Sequence, residues 1–342
     1  MSELPSVSIV INNHNYGRYL GAAIDSALRQ DYEALEVVVV DDGSTDDSRA
    51  VIRRYGDRVT AVFKAQGGQA SALNHGSAVA RGDVVFFLDA DDMLWPQAAS
   101  TVVRAWTPDL AKAQFNLRFV DETGRSTGRL FASELFSGDL RADLLDGVNI
   151  YPPTTGNAYA RTLLDKLLPI PEQTWSLHAD AYLAWLAPFY GSVLSMTDPL
   201  GDFRLHGANR WKTSGNLSPE RLRQELQLLL DVEALLKSRQ ADLGLRLAED
   251  WLLSTPASLK VRLAYVLNVH EPALVPQDTR WSVTGRGVRS VWRFPRYRLA
   301  KRLLYTAWFL CVGLLPRSLT AGVQRVGLNP RSRSRLVSAL TP

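Results

Sequence analysis

Val84-Val85-Phe86-Phe87-Leu88-Asp89-Ala90-Asp91-Asp92 decides how the rest of the chain is read. Five apolar residues in a row, introduced by Arg81-Gly82-Asp83, predict a strand buried on both faces. The carboxylates at its end repel one another, and each raises the pKa of its neighbours. A divalent cation such as Mg2+ removes that conflict, because hard cations take one or two carboxylates and leave positions for phosphate oxygens. The alternative is a solvated Asp-rich turn, with Asp92 capping the next helix.

Working outward, the same grammar repeats upstream. Val7 to Ile11 is a short strand ending in Asn12-Asn13-His14-Asn15, and Glu36 to Val40 is a second ending in Asp41-Asp42-Gly43-Ser44-Thr45-Asp46. Val59 to Lys64 is a third, followed by the glycine loop Gln66-Gly67-Gly68-Gln69. Helices over Arg18 to Gln30, Ser48 to Tyr55 and Ala70 to Ala80 separate them. This alternation predicts an α/β fold with a parallel, doubly wound, nucleotide-binding sheet. Its polar clusters converge in the crevice above the carboxyl ends of the strands, where they suit a nucleoside diphosphate and its metal. The chain has neither G-x-G-x-x-G after the first strand nor G-x-x-x-x-G-K-[ST], which argues against a nicotinamide dehydrogenase and a P-loop enzyme.

Val7 to Asn15, the Asp41 to Asp46 run, Gln66 to Gln69 with Ala72-Leu73-Asn74, and Arg81 to Asp92 resemble the family 2 glycosyltransferases of GT-A fold, in the family's order, over roughly residues 5 to 95. The resemblance implies an inverting transfer from a nucleoside diphosphate sugar, with Mg2+ or Mn2+ as cofactor. It places Asn12 and His14 at the base and ribose, Asp42 on a uracil-like base edge and Asp89 on the ribose. Asp91 then binds the cation with Asp92 beside it, and Gln66 and Asn74 complete the donor-binding set. Many relatives carry Asn where this chain has Gln66, which leaves that loop's contacts open.

Inversion needs a general base on the acceptor hydroxyl. Trp175-Ser176-Leu177-His178-Ala179-Asp180 enters an apolar helix over Ala181 to Tyr190, and the resemblance places the base at Asp180. The competing reading is a carboxylate that only stabilises the helix N-terminus; Asp198 and Asp202 stand in reserve. Strand-like alternation in Phe203-Arg204-Leu205-His206 puts Arg204 and His206 on one face, suited to a diphosphate. The resemblance has His206 close over the diphosphate or its metal. Arg210-Trp211 matches the end of the Gln-x-x-Arg-Trp motif of processive synthases, but Gly207 occupies the Gln position and processivity is not inferred. Ala113 to Val120 reads as a strand and Asp121 to Gly124 as a hairpin turn; Tyr151-Pro152-Pro153-Thr154-Thr155-Gly156 reads as a connector or a loop meeting the acceptor.

The expected boundaries are a GT-A domain over 1–215 (donor half about 1–105, acceptor half about 106–215), a helical appendage over 216–279 and a basic amphipathic tail over 280–342. The appendage reads as helices over Pro219 to Lys237, Ala241 to Leu253 and Leu259 to Val269. The thirteen Lys and Arg from Arg280 to the end meet no acidic residue, leaving 26 basic and 35 acidic residues before it, a balance of −9. Residues 286–335 are therefore expected to meet an anionic membrane surface, and the arginines belong to no nucleic-acid module. The apolar run Leu303 to Leu315, about 20 Å as a helix, is short of the roughly 30 Å hydrocarbon core. It suits an interfacial helix with Trp292, Tyr297, Tyr305 and Trp308 at the boundary, the alternative being a core helix. One cysteine, Cys311, and a first strand beginning at Val7 fit a cytoplasmic protein, peripheral on the inner face of the membrane. The acceptor is then a glycan, lipid-linked, in surface polysaccharide synthesis. The other classes weighed are a non-catalytic nucleotide-sugar-binding scaffold and a nucleotidyltransferase; the latter needs an early basic residue that Asn12 to Asn15 do not supply.

Overall fold

The computed structural model describes residues 4–207, 209, 218–269, 274–294 and 297–328. Contacts divide the chain into two units: 1–144 with 149–209, and 145–148 with 210–342.

The first unit is built on a nine-stranded sheet. β1 (Val7–Asn13), β2 (Leu35–Asp42), β3 (Thr60–Lys64) and β4 (Val84–Asp89) run parallel in the order β3-β2-β1-β4. Their crossovers are α1 (Gly17–Leu28), α2 (Ser48–Arg53) and α3 (Gln69–Val79). The continuous apolar runs are explained by burial on both faces: Ile9, Ile11, Val37, Val39, Phe86 and Leu88 are all buried in one cluster.

Beyond β4 the chain forms β5 (Met93–Leu94), α4 (Ala98–Arg104), β6 (Leu110–Val120), β7 (Ser126–Leu130) and α5 (Arg141–Leu145). β8 (Asn157–Ala160), α6 (Arg161–Leu167), α7 (Glu172–Trp175), α8 (Ala179–Leu186) and β9 (Ser192–Arg204) follow. The sheet continues β4-β8-β6-β9-β5, with β7 paired to β6. The first four strands are parallel as their alternation with helices predicts, whereas β8 runs antiparallel to both β4 and β6. It enters from the loop at Tyr151 to Gly156 rather than from a helical crossover, so nothing forces it parallel.

The second unit contains α9 (Pro219–Ser238), α10 (Pro256–Asn268), α11 (Arg280–Arg293), α12 (Leu299–Leu314) and α13 (Arg317–Leu328). Ser218, Thr255 and Thr279 cap α9, α10 and α11 through their hydroxyls. Three expectations change here. The stretch Ala241 to Leu253 is a series of turns and not a helix. Gly244 adopts φ +64°, a left-handed value that ends helical winding. The boundary expected at 280 runs through one core, since Leu259, Leu263 and Leu267 pack with Val283, Val291, Tyr305, Trp308, Phe309 and Val312. Tyr305 and Trp308 therefore face that core and not a membrane boundary. Among the described residues no helix is long and apolar enough to cross a membrane.

Candidate active site

The carboxyl ends of β1 and β2 are cross-tied by the polar residues that follow them. His14 Nδ1 lies 2.7 Å from the Asp42 carbonyl oxygen, which can only accept, so Nδ1 carries the hydrogen. Nε2 is then an acceptor facing the Gln66 and Asn15 amides, each at 3.2 Å. Asn15, at φ +60°, accepts the Thr45 N–H at 2.7 Å and so holds the turn after β2. The Asp42 carboxylate accepts the Gly67 N–H at 2.8 Å, the Gly68 N–H at 2.7 Å and the Lys64 ammonium. It shapes the glycine loop, and one acceptor position on Oδ2 is left by these bonds. Gly68, at φ +85°, sits where a Cβ would lie 2.9 Å from the Ser176 carbonyl, so only glycine passes there unstrained.

At the end of β4 the acidic residues part company. Asp89 accepts the Asn12 amide at 2.8 Å and the Gln69 amide at 3.4 Å. Burial, then the Asp91 charge, push its pKa up to about 7. Asp91 lies 2.9 Å from His206 Nε2, and the His206 ring packs on Tyr19 and Tyr16 at 5.0 and 5.6 Å. Asp92 turns inward: it accepts the Thr155 hydroxyl at 2.6 Å and the Arg204 backbone N–H at 2.9 Å. Burial, then Asp91 and Asp89, hold its pKa well above the carboxylate range. Asp92 therefore braces the corner from inside, whereas the expectation set it beside Asp91 on a cation.

Arg204 and Asn74 also leave the positions expected of them. β9 ends at Arg204, so alternation does not carry through to His206. The buried Arg204 guanidinium donates to the Asp91 carbonyl at 3.0 Å and the Glu122 carbonyl at 3.2 Å, and packs 5.0 Å from the Tyr19 ring centre. It clamps backbone instead of meeting a diphosphate. The Asn74 amide pairs both ways with the Ile170 backbone, at 2.9 and 2.8 Å, tying α3 to the segment before α7. Asp202 is held by Arg118 at 2.7 and 2.9 Å, which removes it as a reserve base. Arg210 and Trp211 lie outside the described residues.

Asp180 occupies the first turn of α8 and accepts the Ala181 N–H at 2.8 Å. Burial pushes its pKa up to about 6, against the pull of that N–H and of the Lys112 charge. The segment entering α8 is tied to the acidic corner through Gln69, whose backbone N–H donates to the Ser176 carbonyl at 2.8 Å and whose side-chain amide reaches Asp89 at 3.4 Å.

Among the described residues no three His, Cys, Asp or Glu side chains are grouped as metal ligands. The Asp91–His206 pair supplies two donors, one carboxylate and one imidazole. That fits a Mg2+ or Mn2+ that draws its other ligands from diphosphate oxygens and water.

Several site residues were not singled out from sequence. The Thr155 hydroxyl bonds Asp92 and accepts the Asp89 N–H at 3.2 Å, and Thr154 accepts the Gln69 amide at 3.0 Å. The Tyr151 to Gly156 loop is thus part of the site. Lys112, 2% exposed on β6, is another. The polar alternation Lys112, Gln114, Asn116, Arg118 was the available signal for a functional face on that strand.

A family model described as "Glycosyl transferase family 2" matches residues 8–168. An uncharacterized glycosyltransferase of Nostoc sp. is 36% identical over 222 residues, 63% of this chain and 69% of that protein. An uncharacterized glycosyltransferase of Rickettsia typhi is 41% identical over 92 residues, 27% of this chain and 29% of its own. The crystal structure of S. aureus TarS 1-349 in complex with UDP-GlcNAc superposes with a TM-score of 0.51 at 14% identity, covering 97% of this chain and 92% of that one. With the mixed sheet and its acidic strand end in place, these likenesses make the chain a glycosyltransferase of family 2, with a GT-A-like fold and C-terminal helices.

Proposed function

We propose that the protein is an inverting, metal-dependent transferase that moves a sugar from a nucleoside diphosphate sugar, UDP-linked, onto a glycan acceptor. The observation that carries this reading is the Asp91–His206 pair, 2.9 Å apart beside the end of β4, with Asp180 opening α8 behind a segment that Gln69 ties to Asp89. Asn12, His14, Gln66 and Asp42 are assigned to the nucleoside side, Asp89 to the ribose, and Asp91 with His206 to the cation. Asp180 accepts the proton of the acceptor hydroxyl as that oxygen bonds to the anomeric carbon. The bond from the anomeric carbon to the diphosphate breaks on the opposite face, which inverts the configuration. The chemistry a bound cation supplies is neutralisation of the charge that gathers on the departing diphosphate.

The acceptor is placed at the cytosolic face of a membrane, where a lipid-linked glycan of surface polysaccharide synthesis would be met. The support is α12, whose Leu299, Leu303, Leu310 and Leu314 are exposed along a single stripe, in a segment without any acidic residue. Co-sedimentation tests this part: binding to phosphatidylglycerol vesicles, lost at high salt and in Leu303→Glu/Leu310→Glu, is expected. Equal recovery with pure phosphatidylcholine vesicles overturns it.

A thermal-shift screen tests the donor reading. UDP, the nucleotide part of the ligand in the TarS crystals, is tried first, followed by GDP and dTDP, each with Mn2+ or with chelator. Stabilisation by one diphosphate that chelator abolishes is expected. No shift from any of them would overturn the reading in favour of a scaffold.

A further inference from the structure

β9 ends at Arg204, and the chain then reverses from His206 to Asn209 in a turn that is closed twice. The Asn209 N–H donates to the His206 carbonyl at 3.3 Å, and the His206 N–H donates back to Asn209 Oδ1. Asparagine suits such a turn because its carboxamide stands in for a backbone group. A turn closed for its own sake needs only that oxygen. The nitrogen of the same buried carboxamide points out of the turn: Nδ2 donates to the Arg204 carbonyl at 3.0 Å and lies 3.5 Å from Asp91 Oδ2. These partners fix the amide's orientation, since a carbonyl only accepts and a backbone N–H only donates.

The bonds form a ring through four residues. The Arg204 guanidinium donates to the Asp91 carbonyl, the Arg204 carbonyl accepts from Asn209, Asn209 accepts from the His206 N–H, and His206 Nε2 returns to Asp91 Oδ2 at 2.9 Å. Neighbouring bonds tether the segment from β6 and the turn after it: the Leu205 N–H donates to the Val120 carbonyl at 2.8 Å and the Gly207 N–H to Glu122 Oε1 at 3.3 Å. Those two fix the residues on either side of His206, whereas Asn209 grips His206 itself at both its N–H and its carbonyl.

We infer that Asn209 is a positioning residue of the cation site: by joining the His206 backbone to the end of β9 it sets where the imidazole stands against the Asp91 carboxylate. This rests on the reading of Asp91 and His206 as the cation's donors. A donor held in place before the cation arrives loses less freedom on binding, and the groups that hold it govern affinity although they never touch the metal.

The test has two arms on the full chain. In the first, long-range proton–nitrogen NMR of the metal-free protein labelled with 15N-histidine follows the His206 ring, its signals assigned by their loss in His206→Ala. The carboxylate of Asp91 only accepts, so Nε2 carries the hydrogen and the wild-type ring should show one neutral tautomer. Asn209→Ala should replace that pattern with an average of two. Asn209→Ser, whose hydroxyl can still accept an N–H within a turn, should shift the signals in the same direction and serves if Asn209→Ala does not fold. Unchanged His206 signals in a folded variant overturn the inference. In the second arm, Mn2+ is titrated with UDP present and free Mn2+ is read by electron paramagnetic resonance. Asn209→Ala should weaken Mn2+ about tenfold or more in the wild-type background. In the His206→Ala background the same change should cost no more than about twofold, because its route to the cation is gone. Equal losses in both backgrounds overturn the inference, as a general structural role would produce them. If the ring signals change while His206→Ala binds Mn2+ like wild type, the donor reading of His206 has failed and the positioning by Asn209 stands.

Discussion

In the helical unit Arg262 and Asp278, both almost fully buried, meet through hydrogen bonds of 2.7 and 2.6 Å, with Arg286 closing on the same carboxylate. At the end of β4, Asp89, Asp91 and Asp92 crowd one corner, and the nearest ring that can answer them is His206. Both arrangements bury charge, but only the first meets it with opposite charge from the protein itself. A matched buried pair is scaffold, costly to break and inert to ligands. A corner left with surplus negative charge is the arrangement that a bound cation would balance. In the sheet unit Arg49–Asp41 and Arg118–Asp202 are matched pairs on residues with no assigned ligand role, whereas Lys64–Asp42 is a matched pair on a residue assigned to the nucleoside, where it also shapes the glycine loop.

The largest effect should come from Asp180→Asn. If the unmatched carboxylate does chemistry, turnover falls by about 10²–10⁴-fold while diphosphate-dependent thermal stabilisation is unchanged. Comparable turnover in the variant would break the contrast, because Asp180 would then be an ordinary helix-terminal carboxylate. The matched pair gives the complementary result. Arg262→Met leaves the buried Asp278 carboxylate to Arg286 alone and should destabilise the helical unit by about 1.5–3 kcal/mol in urea unfolding. Arg262→Met with Asp278→Leu should recover most of that loss, whereas no apolar replacement in the acidic corner should preserve activity.

Next in size is the cation. Asp91→Ala should lower the apparent Mn2+ affinity, read from the Mn2+-dependent part of the thermal shift, by at least about tenfold. In chelator the sign of the pH effect follows from Asp89, whose folded pKa of about 7 lies above the roughly 3.9 of an unfolded aspartate. Between those values the folded state binds more protons, so stability should fall as pH rises from 5 to 7. Asp92 and Asp180 act in the same direction. Removing the Asp91 charge should flatten that slope; a melting temperature that instead rises from pH 5 to pH 7 would show that the corner is not strained by like charge.

What could be read from sequence follows the same physical divide. β1 to β4 and their crossovers are written in short, contiguous signals, and Asp89, Asp91, Asn12 and His14 fall at strand ends, where the fold places ligands. The direction in which a side chain leaves a strand end is not local. Asp92 turns inward because Thr155, sixty-three residues on, supplies a hydroxyl, and Arg204 turns inward because its strand stops there. Lys112 and Tyr159 become neighbours only through the antiparallel register of β6 and β8, which no spacing along the chain announces. The same limit governs the helical unit, where an apolar run at Leu303 to Leu315 suits a core or an interface equally until its partners are known.

The smallest expected effect concerns the one element that was misread outright. Glu233, buried on α9, accepts the N–H groups of Leu252 and Leu253, each at 2.9 Å, and the Lys237 ammonium at 2.9 Å. Those two amides are available only because residues 241–253 do not wind into a helix, in which they would bond carbonyls four residues back. Gly244, at φ +64°, is the hinge of that arrangement, and a Cβ there would meet no atom within 4 Å. Gly244→Ala therefore isolates the backbone cost and should destabilise the helical unit by about 1–2 kcal/mol. Were the segment helical, the same change would stabilise it by about 1 kcal/mol. The sign measured in urea unfolding decides whether the buried Glu233 is matched by backbone amides as Asp278 is matched by arginines.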